Sequence, residues 1–441
     1  LNHLLIETLR SKFDFVRLKW ILEALESGRR EVSDTDSFEG GVLSIGGEHV
    51  GWQGQWLLEN PRFISHEFFT KMSTGQIQAN DILLVKDGAT IGKVAIAWPL
   101  PASKAAVNEH VFLLRVTAQN HAKYYFYVMQ SSLVQDQIQL EIRGSAQPGL
   151  TSEFRNVVEV PKPPKSQQRS IADYLDRETA RIDALIAAKE RLLELLAEKR
   201  RALITRAVTR GLNPDVPMRD SGTPWLGEIP AHWTVVRLRF LVHKIEQGWS
   251  PQAENREPAE EEWGVLKLNA VNKGRFDDSA AKALPENIEP QSHLEIQVGD
   301  FLVTRSNTPM LVGDVCFVEE TKPRLMLCDL IYRLVLRAEI IEGKFMAYFL
   351  SLPVGRRQIE SDARGTSASM VKISQEHIKD WLIPLPSIDE QKTIVRQLEK
   401  ELTPIQQISA LTMRTILLLK ERRAAIIAAA ITGQNHVKGE P

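Results

Sequence analysis

The chain has 441 residues, 43% of them hydrophobic, with 55 Lys and Arg against 56 Asp and Glu. That content fills real cores and the length calls for more than one domain, while a formal net charge of −1 excludes a global attraction to polyanions. No apolar run reaches the roughly 18 residues of a membrane-spanning helix, and two isolated cysteines, Cys316 and Cys328, outside any CxxC pair, predict reduced buried thiols rather than a disulfide frame or a zinc set.

The opening segment, LNHLLIETLRSKFDF, lacks the hydrophobic core and small-residue end of a signal peptide, so the protein is expected to stay where it is made. From there the chain is one unit written twice. Phe15-Val16-Arg17-Leu18-Lys19-Trp20 matches Val235-Val236-Arg237-Leu238-Arg239-Phe240, and Gly28 matches Gly248. Asp81-Ile82-Leu83-Leu84-Val85 matches Asp300-Phe301-Leu302-Val303-Thr304, and Gly92-Lys93-Val94 matches Gly313-Asp314-Val315. Val111 to Val116 and Ile331 to Leu336 are apolar runs that predict strands. Each precedes an aromatic-rich helical stretch, Lys123 to Ile138 and Lys344 to Ile359. Gly144 matches Gly365, and Pro-marked stops at Pro161 and Pro384 close the two modules. Gln168-Arg169 matches Gln391-Lys392, and Lys199-Arg200-Arg201-Ala202 aligns with Glu421-Arg422-Arg423-Ala424.

After each stop comes a long helical pattern. Leu175, Ile182, Leu196 and Leu203 share one heptad position, with Leu185 and Leu192 as its partner seam. Leu398, Ile405, Leu419 and Ile426 repeat it, with Thr412 as the polar exception and Leu411, Leu418 and Ala425 as partner. Sustained 3.5-residue spacing predicts a coiled coil. Pro404 is expected to start the second long helix, behind a short helix from Gln391 to Leu402. The expected fold is α+β: a tandem duplication of a globular α/β module followed by a long helix, with the two long helices packed as an antiparallel coiled coil. The divisions are module one over 1–165, helix over 166–211, linker over 212–233, module two over 234–387, helix over 388–434 and tail over 435–441. A splayed, linear arrangement is the competing possibility.

The linker, Asp220-Ser221-Gly222-Thr223-Pro224-Trp225-Leu226-Gly227-Glu228-Ile229-Pro230-Ala231-His232-Trp233, predicts an extended tether with aromatic anchors. It resembles the linker before a target-recognition domain in specificity subunits of type I restriction-modification systems. The runs Ser166–Asp176, Glu198–Ile204, Asp389–Lys392 and Glu421–Ile427, ending in Ile431-Thr432-Gly433-Gln434, resemble that family's helical regions. The likeness covers almost the whole chain, twice over. The family often has such a linker before its first module too. Here the chain reaches Phe15 directly, so its N-terminus is expected to be trimmed or to use an alternative start.

The resemblance implies a non-catalytic subunit that reads double-stranded DNA. Each module would read one half of a split target, and the coiled coil would fix the spacer. The implied partners are two methyltransferase subunits and motor-nuclease subunits in a bacterial or archaeal cytoplasm. S-adenosylmethionine, ATP and Mg are expected on those partners, with no cofactor or metal on this chain. The sequence agrees in lacking a Gly-rich cofactor loop, a methyltransferase box and a phosphate loop. Glu390-Gln391-Lys392 looks like the end of a nuclease site, but its counterpart Gln167-Gln168-Arg169 has no carboxylate. A helix start with charges facing a partner is the expected role.

Three repeat-related loops are candidate readers. The first holds Lys86, Thr90 and Lys93, matched by Arg305, Ser306, Asn307 and Thr308, where a basic residue, small polar residues and glycines let backbone approach a phosphate. A plain hairpin turn is the alternative. The second holds Arg143, Ser145, Gln147 and Thr151, matched by Arg364, Thr366, Ser367 and Lys372. Arg can grip phosphate or guanine, while Ser, Thr and Gln reach base edges. A helix C-terminal cap is the alternative. The third, Gly46 to Trp56 against Lys267 to Arg275, diverges strongly between the copies, as two readers or any two surface loops would. His49 and His110 are expected to be ordinary histidines, and Lys199-Arg200-Arg201 with Glu421-Arg422-Arg423 a solvated or docking face. A coiled-coil scaffold that never touches DNA is the competing function.

Overall fold

The computed structural model describes residues 14–31, 41–97, 99, 102–144, 148–367 and 370–434, with 364–367 and 370 as backbone. Two compact units result: residues up to 190 with those from 413 onward, and Arg191–Thr412.

In unit one a four-stranded antiparallel sheet runs in the order Leu22–Ser27, Val111–Val116, Ile82–Val85, Val94–Ile96. Its central strands are apolar on both faces because each face meets a core. Ile82, Leu84, Phe112 and Leu114 face the helices; Leu83, Val85, Val111 and Leu113 face a second, three-stranded sheet. That sheet orders Arg62–Ile64, Val42–Ile45 and Ala105–Val107, the last two parallel. Unit two repeats the plan with Val242–Gln247, Ile331–Leu336, Phe301–Thr304 and Val315–Phe317. Its second sheet orders Ala281–Ala283, Gly264–Leu266 and Leu325–Met326, again with one parallel pair. Even the irregularity is repeated: the first strand slips register between Leu22 and Ala24, and between Val242 and Lys244. Gly28 and Gly248 end these strands against backbone. A Cβ would lie 1.5 Å from the Val107 carbonyl oxygen in one and 2.1 Å from that of Leu327 in the other. Cys316 and Cys328 are buried free thiols, and burial pushes the Cys328 pKa up to about 11.

Each aromatic-rich stretch is two helices rather than one. Ala122–Gln130 stops at Ser131, whose hydroxyl donates to the Val128 carbonyl at 2.6 Å, before Ser132–Glu141. Gly343–Leu350 stops before Pro353–Asp362, where proline, lacking an N–H, opens the second helix. The linker is also more than a tether. Met218–Asp220 pairs with Glu228–Pro230 as a hairpin, and Ile229 and Trp233 are buried in the unit-two core.

The long helices are Lys165–Arg210, 46 residues, and Ile388–Ile431, 44 residues; the first is about 69 Å long at 1.5 Å per residue. The second is continuous through Pro404, so no short helix precedes it. Ile394, Leu398, Leu402 and Ile405 pack into the core on both sides of the proline and hold the helix across the missing hydrogen bond. In unit one Asp183 meets Arg423 and Glu190 meets Lys420, which makes the two helices antiparallel there. One heptad position is as expected, with Leu175, Ile182, Leu398, Ile405 and Thr412 buried. Its partner seam is not. Leu185, Leu411 and Leu418 are 46%, 66% and 53% exposed. The buried partners lie four residues on from the first position, at Thr179, Ile186, Ala207, Leu402, Ile416, Arg423 and Ala430.

Candidate nucleic-acid interface

The first two loops, far apart in sequence, meet in each module. In unit one the Lys86 carbonyl accepts the Leu150 N–H at 2.8 Å, and the Gly88 N–H donates to Pro148 at 3.4 Å. Arg143 and Gly149 exchange both backbone hydrogen bonds, at 3.0 and 2.9 Å, closing the second loop as a hairpin. In unit two the Arg305 carbonyl accepts the Ile373 N–H at 2.9 Å, and Ser306–Asn307 pairs with Met370–Lys372, which pairs with Arg364–Ser367. These strand pairings supersede a helix cap as the local role of Arg143 and Arg364.

The basic residue at the root of the first loop sits on an aromatic ring in both copies. Lys86 Nζ lies 5.0 Å from the Phe112 centroid and the Arg305 guanidinium 5.9 Å from that of Tyr332. Phe112 and Tyr332 are equivalent strand residues, a stacking the sequence carried only as an alignment of two aromatics. The ring fixes the stem of the cation and leaves its charge at the loop. Acidic neighbours temper it in unit one, where Asp87 is 3.8 Å from Lys86 and 3.3 Å from His110.

The remaining candidates divide. The Arg143 side chain is 77% exposed, with Glu141 at 3.8 Å. Thr151, Thr308 and Lys372 are exposed, and Thr90 and Asn307 half-buried. Asn307 Oδ1 accepts the Thr308 N–H at 2.8 Å. Two candidates point inward instead. Lys93 is 8% exposed with Nζ over Trp52, and Ser306 is 1% exposed with no partner for its hydroxyl. Ser145 and Gln147 lie outside the described residues, as do the side chains of Arg364, Thr366 and Ser367.

The third loop touches the first, where Lys93 Nζ lies 5.8 Å from the Trp52 ring centroid, and it also meets a long helix. In unit one Arg423 donates to Asp183 Oδ1 at 3.0 Å, to the Gln53 carbonyl at 3.0 Å and to Gln130 Oε1 at 3.5 Å. Arg423 is 7% exposed, so this part of the basic run is a structural joint and not a solvated face. His49 is a packed histidine whose Nδ1 accepts the Gly46 N–H at 2.9 Å.

The joint between module and helix start recurs in both units. Gln168 Oε1 accepts the His121 N–H at 2.7 Å while its amide donates to the Pro163 carbonyl at 2.8 Å. Gln391 accepts from Glu342 N at 2.8 Å and donates to the Pro386 carbonyl at 3.0 Å. Lys123 pairs with Asp176 and Lys344 with Glu399 in the same way. Glu390 accepts from Trp233 Nε1 at 3.1 Å and meets His232 at 3.0 Å, anchoring the linker instead of facing a partner.

Residues 10–195 match the family model described as the type I restriction modification DNA specificity domain. That match spans 186 of the 441 residues, and the chain is similar to specificity subunits of type I restriction-modification systems. It is 30% identical over 209 residues to the type I restriction enzyme EcoEI specificity subunit of Escherichia coli, covering 47% of this chain but only 35% of that protein. It is 23% identical over 381 residues to the MjaVIII specificity subunit of Methanocaldococcus jannaschii, covering 84% and 83%. The fold is shared with a chain solved in a study of complex assembly and conformational transition of the type I R-M system. The TM-score is 0.67 at 16% identity, over 96% of this chain and 98% of that one. Among the described residues no helix is long and apolar enough to cross a membrane, and no group of three or more His, Cys, Asp or Glu could hold a metal ion.

Proposed function

We propose that this chain is the non-catalytic, double-stranded DNA-reading subunit of a type I restriction-modification complex. Each module reads one half of a split target through its paired first and second loops. The observation that carries this is the recurrence of that loop pair, rooted on a ring-stacked cation, on two frames that match down to a register slip. Frame constancy with loop divergence supports two readers of different half-sites, and a coiled-coil scaffold alone has no use for it. The long helices set the spacer between half-sites and dock two methyltransferase subunits, which bring S-adenosylmethionine. Motor-nuclease subunits supply the chemistry that needs ATP and Mg. Exposed Met413, Leu417 and Leu418, at 57%, 58% and 53%, support a docking face on the second helix. With a net charge of −1, the chain alone is expected to bind duplex weakly and the assembled complex tightly.

The direct test is module exchange. Replacing residues 14–160 with another family member's first module should change one half of the methylated motif and leave the other intact. A change in both halves would refute modular reading. Removing one heptad from each long helix should alter the spacer, and an unchanged spacer would refute the ruler role.

A further inference from the structure

The two copies differ where a long helix meets the third loop. Aligned on the buried seam, Gln168 with Gln391, Leu175 with Leu398 and Ile204 with Ile427, the helices match at a constant offset of 223 residues, which corrects the sequence alignment by one and puts Arg200, not Arg201, opposite Arg423. In unit one that arginine is saturated by the Asp183 carboxylate, the Gln130 side chain and the Gln53 carbonyl. In unit two the equivalent positions are Gln406, Ser351 and Lys273, so the carboxylate is gone. Two buried polar atoms are left without partners there, Arg200 Nε and Ser351 Oγ. Between them lies a cavity of about 530 Å³, lined among others by Lys273, Gly274 and Tyr348.

Charge makes the gap sharper. Burial lowers the Arg200 pKa, and the nearby Arg275 guanidinium pushes it the same way. Neither arginine has a carboxylate partner among the described residues. The acids lining the cavity are engaged: Asp314 accepts the Lys273 and Val315 N–H groups, Glu319 pairs with Lys344, and Glu360 lies 3.7 Å from Arg356. A half-buried guanidinium beside a like charge, with an unpaired hydroxyl opposite, is costly unless an anion completes it.

We propose that unit two binds a phosphate-class oxyanion in this cavity, held by Arg200, Ser351 and the Lys273–Gly274 turn, with Arg275 adding positive field. The anion stands where unit one has Asp183. It is either a DNA backbone phosphate, which rests on the DNA-reading function proposed above, or the phosphate of a small molecule, which does not.

The test titrates the full chain with inorganic pyrophosphate against chloride at matched ionic strength, reading calorimetric binding and melting temperature. Wild type should bind, and Arg200→Gln should weaken binding at least about tenfold, as loss of a charge-assisted hydrogen bond does. Arg200→Gln also relieves repulsion with Arg275, so it should melt no lower than wild type in chloride. The double variant Ser351→Gln with Gln406→Asp rebuilds the unit-one partners and should abolish the response while raising the melting temperature. A duplex arm uses the complex with its methyltransferase subunits. Reduced duplex affinity in Arg200→Gln, with the salt slope smaller by about one, identifies the backbone phosphate. An unchanged duplex affinity with a lost pyrophosphate response identifies a small phosphate compound, and that response survives even if the chain never reads DNA. If wild type and Arg200→Gln respond alike to both pyrophosphate and duplex, the site does not exist.

Discussion

Gln168 and Gln391 are each almost completely buried and each carry three hydrogen-bonding duties at the point where a module becomes a helix. Gln168→Ala strands the His121 N–H and the Pro163 carbonyl in the interior, so a loss of about 2 kcal/mol is expected in urea unfolding. His121 itself brings pH dependence. Burial holds its pKa below the ordinary 6.5, and its Nδ1 has no partner. As pH falls below the ordinary value, the unfolded chain takes up a proton that the folded chain still refuses. Stability is therefore full above pH 6.5 and declines below it until the folded-state value is passed. His121→Gln should flatten the melting temperature between about pH 7 and pH 5. At the loops, Arg143→Ala and Lys372→Ala should each weaken duplex binding by the complex and lower its salt slope by about one. An unchanged slope would remove that residue from the interface. The repeated cation at Lys86 and Arg305 was legible because duplication preserved it. The burial of Lys93 and Ser306 was not, since Ser306 is covered by a strand pairing with Lys372, 66 positions on, and Lys93 by the ring of Trp52, 41 positions back.

Secondary-structure elements were legible where composition is one-sided. The strands Val111–Val116 and Ile331–Leu336 fall where their apolar runs predict. The seam of the long helices was misread because it is not purely apolar. Thr179 and Arg423 sit in the partner position, Thr179 bonded to the Leu175 carbonyl and Arg423 to Asp183, while Leu411 and Leu418 face outward. A search for leucines at heptad spacing follows the exposed leucines and misses the buried Thr179 and Arg423. Pro404 was misjudged for a related reason: local propensity opposes a helix interior there, and packing overrides it. It is exposed, so Pro404→Ala restores a backbone hydrogen bond without opening a cavity. A gain of about 1–3 kcal/mol is expected, measured as a higher unfolding midpoint. Gly28→Ala and Gly248→Ala should do the opposite. Each would force two backbones apart, and loss of the affected unit's cooperative unfolding transition is the expected result.

Each unit is finished by parts of the chain far from its own module. The core of unit one takes Ile427, Ala430 and Ile431 from the second long helix, and that of unit two takes Ile204, Ala207 and Val208 from the first. Ending the chain after Thr412 should therefore destabilise unit one although its whole module is present, with protease sensitivity rising in residues 111–186. The same sharing bears on the order of synthesis. A ribosome completes the first module long before it makes residues 413–431, so that module waits with Ile171, Leu175 and Ile182 uncovered while more than 200 further residues emerge. The half of the protein made first is the last to become a folded body.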